Sequence, residues 1–166
     1  MTHTYHATPY DISATGFYFT NLEDYQAKAA THRNDYGQPV EEYEIQYIDG
    51  EAAPLFNALE VNQVTLALWF EQFEDLDGED AVKAIYLADD RGYAMAEIPD
   101  RLEDVILFEG NARAYAEEYL ESTGLLDQMP ENLRFYFDVD AFARDLQLGG
   151  DITEIDIDGT TYVVSE

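Results

Sequence analysis

The chemistry this chain could do is carboxylate chemistry. Thirty-six Asp and Glu stand against eight Lys and Arg, with three His and no Cys among 166 residues. Two acids in apposition can hydrolyse a glycoside, one as acid and the other as base or nucleophile. No nucleophile motif, phosphate loop or Gly-rich fingerprint accompanies these acids, so no enzyme is expected. Glu154, Asp156, Asp158 and Gly159 imitate the start of a calcium loop. The twelfth position falls on Ser165, where a bidentate Glu is needed, and flanking helices are lacking, so a plain β-hairpin is expected. His3 and His6 have a metal-like spacing but belong to what reads as a flexible terminus, a weak site. The absence of Cys excludes disulfides, thiolate metal sites and thiol catalysis. Neither a metal nor a cofactor is expected.

What remains is the charge itself. A formal net charge of −28 coexists with 46% apolar residues, so the chain can bury a core beneath an acidic skin. Residues 1–60 hold ten acids, 61–100 ten, 101–150 eleven and 151–166 five, an even spread rather than a tail. Solubility of a small domain asks for a net charge of only about 2–8. Placement adds to the case. Glu117 and Glu121 form a like-charge i, i+4 pair beside Glu118, and Glu71, Glu74 and Asp75 crowd the end of a helix, where acids oppose its dipole. Asp140 with Arg144 reads as the one attractive pair. Nothing local rewards these choices, which points to a partner with a basic groove built for phosphates, and so to a DNA-binding protein. The same field repels nucleic acid and acidic membranes. At one charge per roughly 1.7 Å of duplex, the net charge equals about 48 Å of DNA per chain, which favours an elongated molecule. The rival readings are a salt-adapted acidic cytoplasmic protein and an adaptor for another basic protein surface. No signal peptide or membrane span is visible, so a soluble, cytoplasmic protein is expected.

The elements that carry the acids read as α+β. Gly16–Phe19 is a short aromatic strand after an acidic, turn-prone lead. Thr20 or Asn21 caps a helix from Leu22 to about Ala30, and Tyr43–Ile48 alternates as a strand. Val61–Phe73 reads as one helix with a wide apolar arc, buried between neighbours or at a subunit interface. Asp77–Asp80 breaks it, and a second helix runs from Ala81 to Ala88. Val105–Phe108 is a strand, Asn111 caps a helix that ends at Gly124, and Pro130 opens a helical turn. Asp138 caps another helix, and Asp158-Gly159 turns a hairpin between Ile152–Ile157 and Thr160–Val164. Three modules are expected: an N-terminal α+β module over 1–60, an acidic helical middle over 61–104, and a C-terminal α+β module over 105–166.

One stretch carries a resemblance. Glu117 to Leu126, then Met129-Pro130-Glu131, Tyr136-Phe137-Asp138, and the run Asp140-Ala141-Phe142-Ala143-Arg144-Asp145-Leu146 resemble the C-terminal region of the ArdA antirestriction proteins. In that run Phe142 takes the place of the family's tyrosine. The similarity is strongest over 112–148 and looser over 16–60, around Glu41-Glu42-Tyr43-Glu44-Ile45. The resemblance implies a protein encoded on mobile genetic elements. It would be an elongated, curved dimer of small modules whose carboxylates stand in for the phosphates of bent duplex DNA. Its partner would be a type I restriction–modification enzyme, bound in the DNA groove of the methyltransferase core, with restriction and modification both inhibited. The expected contacts are Glu71, Glu74, Asp75, Glu117, Glu118, Glu121, Asp127, Glu131, Asp138, Asp140 and Asp145. The expected dimer interface holds Leu125, Leu126, Met129, Tyr136 and Phe142.

Overall fold

The computed structural model describes residues 2–166, which fall into two compact units, one reaching Asp100 and the other spanning Arg101–Glu166. The class is α+β: two small antiparallel sheets, each with its own helices.

In the first unit the sheet runs in the order β2-β1-β3. Strand β1 (Thr4–Pro9) lies in the middle, between β2 (Phe17–Phe19) and β3 (Tyr43–Asp49). The N-terminal segment expected to be flexible is therefore the central strand, while the lead before β2 is turned as expected over residues 11–14. Its inward face consists of Tyr5 and Ala7, both buried, while His6 and Thr8 alternate outward. Two inward residues and a terminal proline give too little apolar alternation for a strand to show in the sequence. Pairing decides it: Tyr5 sits opposite Phe19 and Tyr47, and Ala7 opposite Phe17 and Ile45. Helix α1 (Leu22–Thr31) follows β2, with Asn21 Oδ1 accepting the Asp24 N–H at 2.8 Å.

Helix α2 (Ala53–Ala58) presents Leu55 and Phe56 to the core. The expected helix over Val61–Phe73 is not continuous. Asn62 Oδ1 accepts the N–H groups of Val64 and Thr65, and Thr65 Oγ1 accepts that of Asn62, so this stretch closes a side-chain-bonded turn that competes with helix. Helix begins only at α3 (Leu66–Leu68) and widens at once into a π-helical turn, Trp69–Phe73. Its i→i+5 bond runs from Glu74 N–H to the Trp69 carbonyl at 2.9 Å. Of the apolar arc, Val61, Leu66, Trp69 and Phe73 are buried within this unit and Val64 is exposed. Helix α4 (Gly78–Asp89) starts before the expected Ala81, taking Glu79 and Asp80 into its first turn, where acids suit the dipole.

In the second unit the sheet order is β4-β6-β5, from β4 (Ile106–Glu109), β5 (Thr153–Ile157) and β6 (Thr160–Ser165). Asp158 and Gly159 both take positive φ, 53° and 79°, as the two-residue turn of this hairpin requires. Helix α5 (Ala112–Thr123) is capped by Asn111, whose Oδ1 accepts the Ala114 N–H at 2.9 Å, and stops at Gly124 with φ 65°. Helix α6 (Glu131–Arg134) is a single turn after Pro130. Helix α7 (Val139–Gly149) is capped by Asp138, whose Oδ1 accepts the Ala141 N–H at 3.0 Å. The core here is small and aliphatic: Val105, Ala112, Ala116, Leu120, Ala143, Ile152, Val163 and Val164 are buried, and Phe108, Tyr115, Val139, Phe142 and Leu146 pack against the cluster of Ala112, Ala116, Ala143, Ile152 and Val163.

Candidate functional site

The site to be explained is a distributed surface of acids. Eight cations cannot neutralise thirty-six carboxylates, so most of the acids face solvent with their charge uncompensated. What distinguishes one carboxylate from another is what the fold asks of it.

Glu74 is not a free surface acid. Its Oε1 accepts a hydrogen bond from the Tyr5 hydroxyl at 2.9 Å, and that hydroxyl in turn accepts from Trp69 Nε1 at 2.9 Å. Burial pushes the Tyr5 phenol far above its ordinary range, so it remains a donor. The π-turn brings Glu74 inward to make this contact, while Glu71 and Asp75 on the same turn are exposed.

On α5, Glu117, Glu118 and Glu121 are all exposed. Glu117 Oε1 accepts from Arg113 Nε at 3.1 Å, and Arg113 Nη1 reaches across to α7, donating to Asp140 at 3.0 and 2.9 Å. The expected Asp140–Arg144 pair does not form among the described residues. Asp140 takes the α5 arginine instead, because Arg113 can meet both of its oxygens while bridging to Glu117. The hydrogen bond to Glu117 and the charge of Asp140 together push the Arg113 guanidinium pKa up. Asp127 lies 3.7 Å from Arg134, whose Nη2 also binds the Asp127 carbonyl, so α6 fastens the turn after α5. Asp138 is a helix cap. Glu118, Glu121, Glu131 and Asp145 are exposed. A shallow groove of about 270 Å³ brings Glu117, Glu121 and Asp127 together over Leu120, Leu126 and Val139.

The residues weighed for metals have other work. His3 Nδ1 meets the Tyr47 hydroxyl, and His6 Nδ1 lies 2.8 Å from Thr8 Oγ1 with its ring against Tyr18. Glu154 Oε2 accepts the Ala112 N–H at 2.7 Å, placing a carboxylate on the N-terminus of α5, and Asp156 braces the hairpin turn through the Gly159 N–H. Among the described residues, no group of three or more His, Cys, Asp or Glu is placed to hold a metal ion, and no helix is long and apolar enough to cross a membrane.

A cavity of about 490 Å³ in the first unit escaped the sequence reading. Glu60, Asn62, Thr65, Asp89 and Tyr93 are among its lining residues. Desolvation, then the charges of Asp90 and Glu60, push the Asp89 carboxyl above its ordinary range. Asp90 is the sequence neighbour of Asp89, while Glu60 comes from the chain after α2, which packs on α4, and no local pattern marks that approach.

The model of the antirestriction protein (ArdA) family matches residues 7–160. The chain belongs to the ArdA family. No individually curated protein matches it. The ArdA match covers both units, so the antirestriction assignment rests on the whole fold and not on the α5–α7 stretch alone.

Proposed function

We propose that the chain is a mimic of double-stranded DNA that occupies the DNA groove of a type I restriction–modification enzyme, on its methyltransferase core, and blocks restriction and modification without chemistry of its own. The observation that carries this reading is the excess of uncompensated carboxylates spread along both units. A groove that holds phosphates offers many weak cationic contacts, and an even acidic surface answers them. The α5–α7 face supplies the clearest instance. The stem of a lysine or arginine can lie on Leu126 and Val139 while its charge meets Glu117, Glu121 and Asp127. Glu71, Asp75, Glu118, Glu131 and Asp145 offer further contacts. Asp138 and Asp140 contribute field while also serving as cap and crosslink. Glu74 belongs more to the core than to the contact surface. The protein works in the cytoplasm, where it meets the enzyme, and needs no cofactor.

The working form is an extended homodimer joined through the second unit. Around α6, Phe135 is 91% and Tyr136 84% exposed, and Leu125 is also exposed, with Leu126, Met129 and Phe142 half-buried beside them. Apolar side chains this open on so small a core call for a covering surface. Sedimentation of a Phe135→Ser, Tyr136→Ser variant should give the mass of one chain, and a compact monomeric wild type at micromolar concentration rejects the dimer.

The test of the function is competition. The protein should displace duplex DNA from a type I methyltransferase, and simultaneous binding of both in the groove would refute the reading. Each exposed charge contact is worth about 0–1 kcal/mol. Glu117→Gln, Glu118→Gln or Glu121→Gln alone should weaken binding a few-fold, the triple variant roughly additively, with a shallower salt dependence.

A further inference from the structure

Far from the α5–α7 face in sequence, two loops of the first unit hold three large apolar side chains out into water. Tyr10 is 66%, Ile12 102% and Tyr36 80% exposed. Ordinarily such residues sit on mobile loops or turn inward. These loops are tied to each other at several points. Asp11 Oδ1 accepts the N–H and hydroxyl of Ser13 at 2.8 and 2.6 Å, and Asp11 Oδ2 accepts from Asn34 Nδ2 at 2.9 Å. The Asp35 N–H reaches the Ser13 carbonyl at 2.8 Å. Asn34 Oδ1 accepts the N–H groups of both Tyr36 and Gln38, closing the second loop. The Tyr10 N–H bonds to the Glu42 carbonyl at 3.2 Å. Ile12 is thus flanked on both sides by residues bonded to Asn34 and Asp35, and Tyr36 follows directly. The hydrogen bonds from Ser13 and Asn34 hold the Asp11 carboxyl below its usual range, so it stays ionised as it braces the loops.

We propose that Tyr10, Ile12 and Tyr36 form a preordered apolar contact for the restriction enzyme itself, a part of the interface that duplex DNA cannot offer. The inference rests on the mimicry reading and adds to it. Charge complementarity picks the occupant: Asp11, Asp35, Glu41 and Glu42 surround the patch in sequence with only Arg33 opposed, so the surface that docks here is cationic. Arginine and lysine of that surface can stack on the two tyrosine rings, and its apolar residues can cover Ile12. The energetic reason is equally direct. A mimic whose every contact is an exposed ion pair competes with DNA on DNA's own terms, and salt weakens both alike. Apolar anchors are insensitive to salt, and anchors on loops already fixed lose little freedom on binding.

The experiment is a titration of the type I methyltransferase with wild type and an Ile12→Ser, Tyr36→Ser variant at two salt concentrations, with DNA displacement measured in parallel. All substituted side chains lie in solvent, so the variant should keep its melting temperature. Affinity should fall at least about tenfold with the salt slope unchanged, the reverse of the carboxylate variants, which change the slope. Affinity within twofold of wild type overturns the inference and leaves mimicry standing, provided wild type displaces DNA. Failure of the wild type to displace DNA instead removes the reading on which it rests. A change in the protein's own sedimentation with no change in enzyme affinity means that the patch meets a second copy of the chain, which also overturns it.

Discussion

The two units bury unlike things. The first encloses a crowd of large rings: Tyr5, Phe19, Trp69 and Phe73 are fully buried, and Tyr5 alone has ring contacts with Phe19, Tyr47, Phe56 and Phe70 at 5.2–5.8 Å. The second encloses no ring: its buried side chains are Val105, Ala112, Ala116, Leu120, Ala143, Ile152, Val163 and Val164, and Phe135 and Tyr136 stay outside. A core of rings buries far more apolar area per residue than a core of methyl groups. The first unit can therefore carry exposed acids at the cost of some repulsion. The second has little margin, keeps more of its charges in use as caps and crosslinks, and leaves apolar surface for a neighbour. Two ways of sustaining the same acidic skin thus coexist in one chain.

The contrast breaks most visibly by cutting into each core. Trp69→Ala removes the largest buried ring and leaves the Tyr5 hydroxyl without its donor, and should cost about 3–5 kcal/mol. Ala116 lies fully buried between α5 and its neighbours, and Ala116→Leu should cost about 1–3 kcal/mol by overpacking. Denaturant titrations of both variants measure the difference. Equal losses, or a larger loss at Ala116, would mean that the ring-rich core does not dominate stability.

The next effect is smaller and runs the other way. Asn111 and Asp138 cap α5 and α7 in the second unit, and Asn21 caps α1 in the first. Each replacement by Ala should cost about 1 kcal/mol. Set against total stability, that matters more where the core is thin. Amide exchange should therefore speed up throughout α5 or α7 in the first two variants, but only in the first turn of α1 in Asn21→Ala.

These caps are also why the second unit was legible from its residues. Asn111, Gly124, Asp138 and the Asp158-Gly159 turn each act on the few residues beside them, and the stripe of Ala112, Tyr115, Ala116, Tyr119 and Leu120 is periodic, its alanines and leucine buried and Tyr119 exposed. Strand β1 was missed because what makes it a strand is Phe19 and Tyr47 on either side of Tyr5, which no window around residue 5 contains. The π-turn was missed for a related reason. The width of the arc from Val61 to Phe73 was plain, but the turn that sets Trp69 and Phe73 inward depends on Glu74 finding a hydroxyl 69 residues away. Likewise Asp140 was paired with Arg144 by helical spacing, while its real partner, Arg113, stands on another helix. Among the site residues, exposure of the α5 acids followed from the stripe. The inward role of Glu74 and the brace at Asp11 were visible only in three dimensions.

The smallest effect tests whether the first unit really tolerates repulsion. Asp89 borders the cavity beside Glu60 and Asp90, and its carboxyl is raised by desolvation first and by those two charges second. A carboxyl whose pKa is higher folded than unfolded makes the folded state bind the extra proton. Its contribution to stability is thus complete below the ordinary carboxylate range and is lost as pH rises through the folded value. Asp89→Asn fixes the uncharged state. Relative to wild type, the variant should gain nothing at pH values below the ordinary carboxylate range, then gain stability as pH climbs, and hold a constant advantage at neutrality. Because the side chain is exposed and solvent screens it, that plateau should be below about 0.5 kcal/mol. Melting curves of both proteins from acid to neutral pH decide the matter. A difference that is flat with pH would show that Asp89 feels no repulsion. One that grows toward acid would reverse the sign and mean that its charge is stabilising, so that the first unit accommodates its acids by pairing them and not by strength of core.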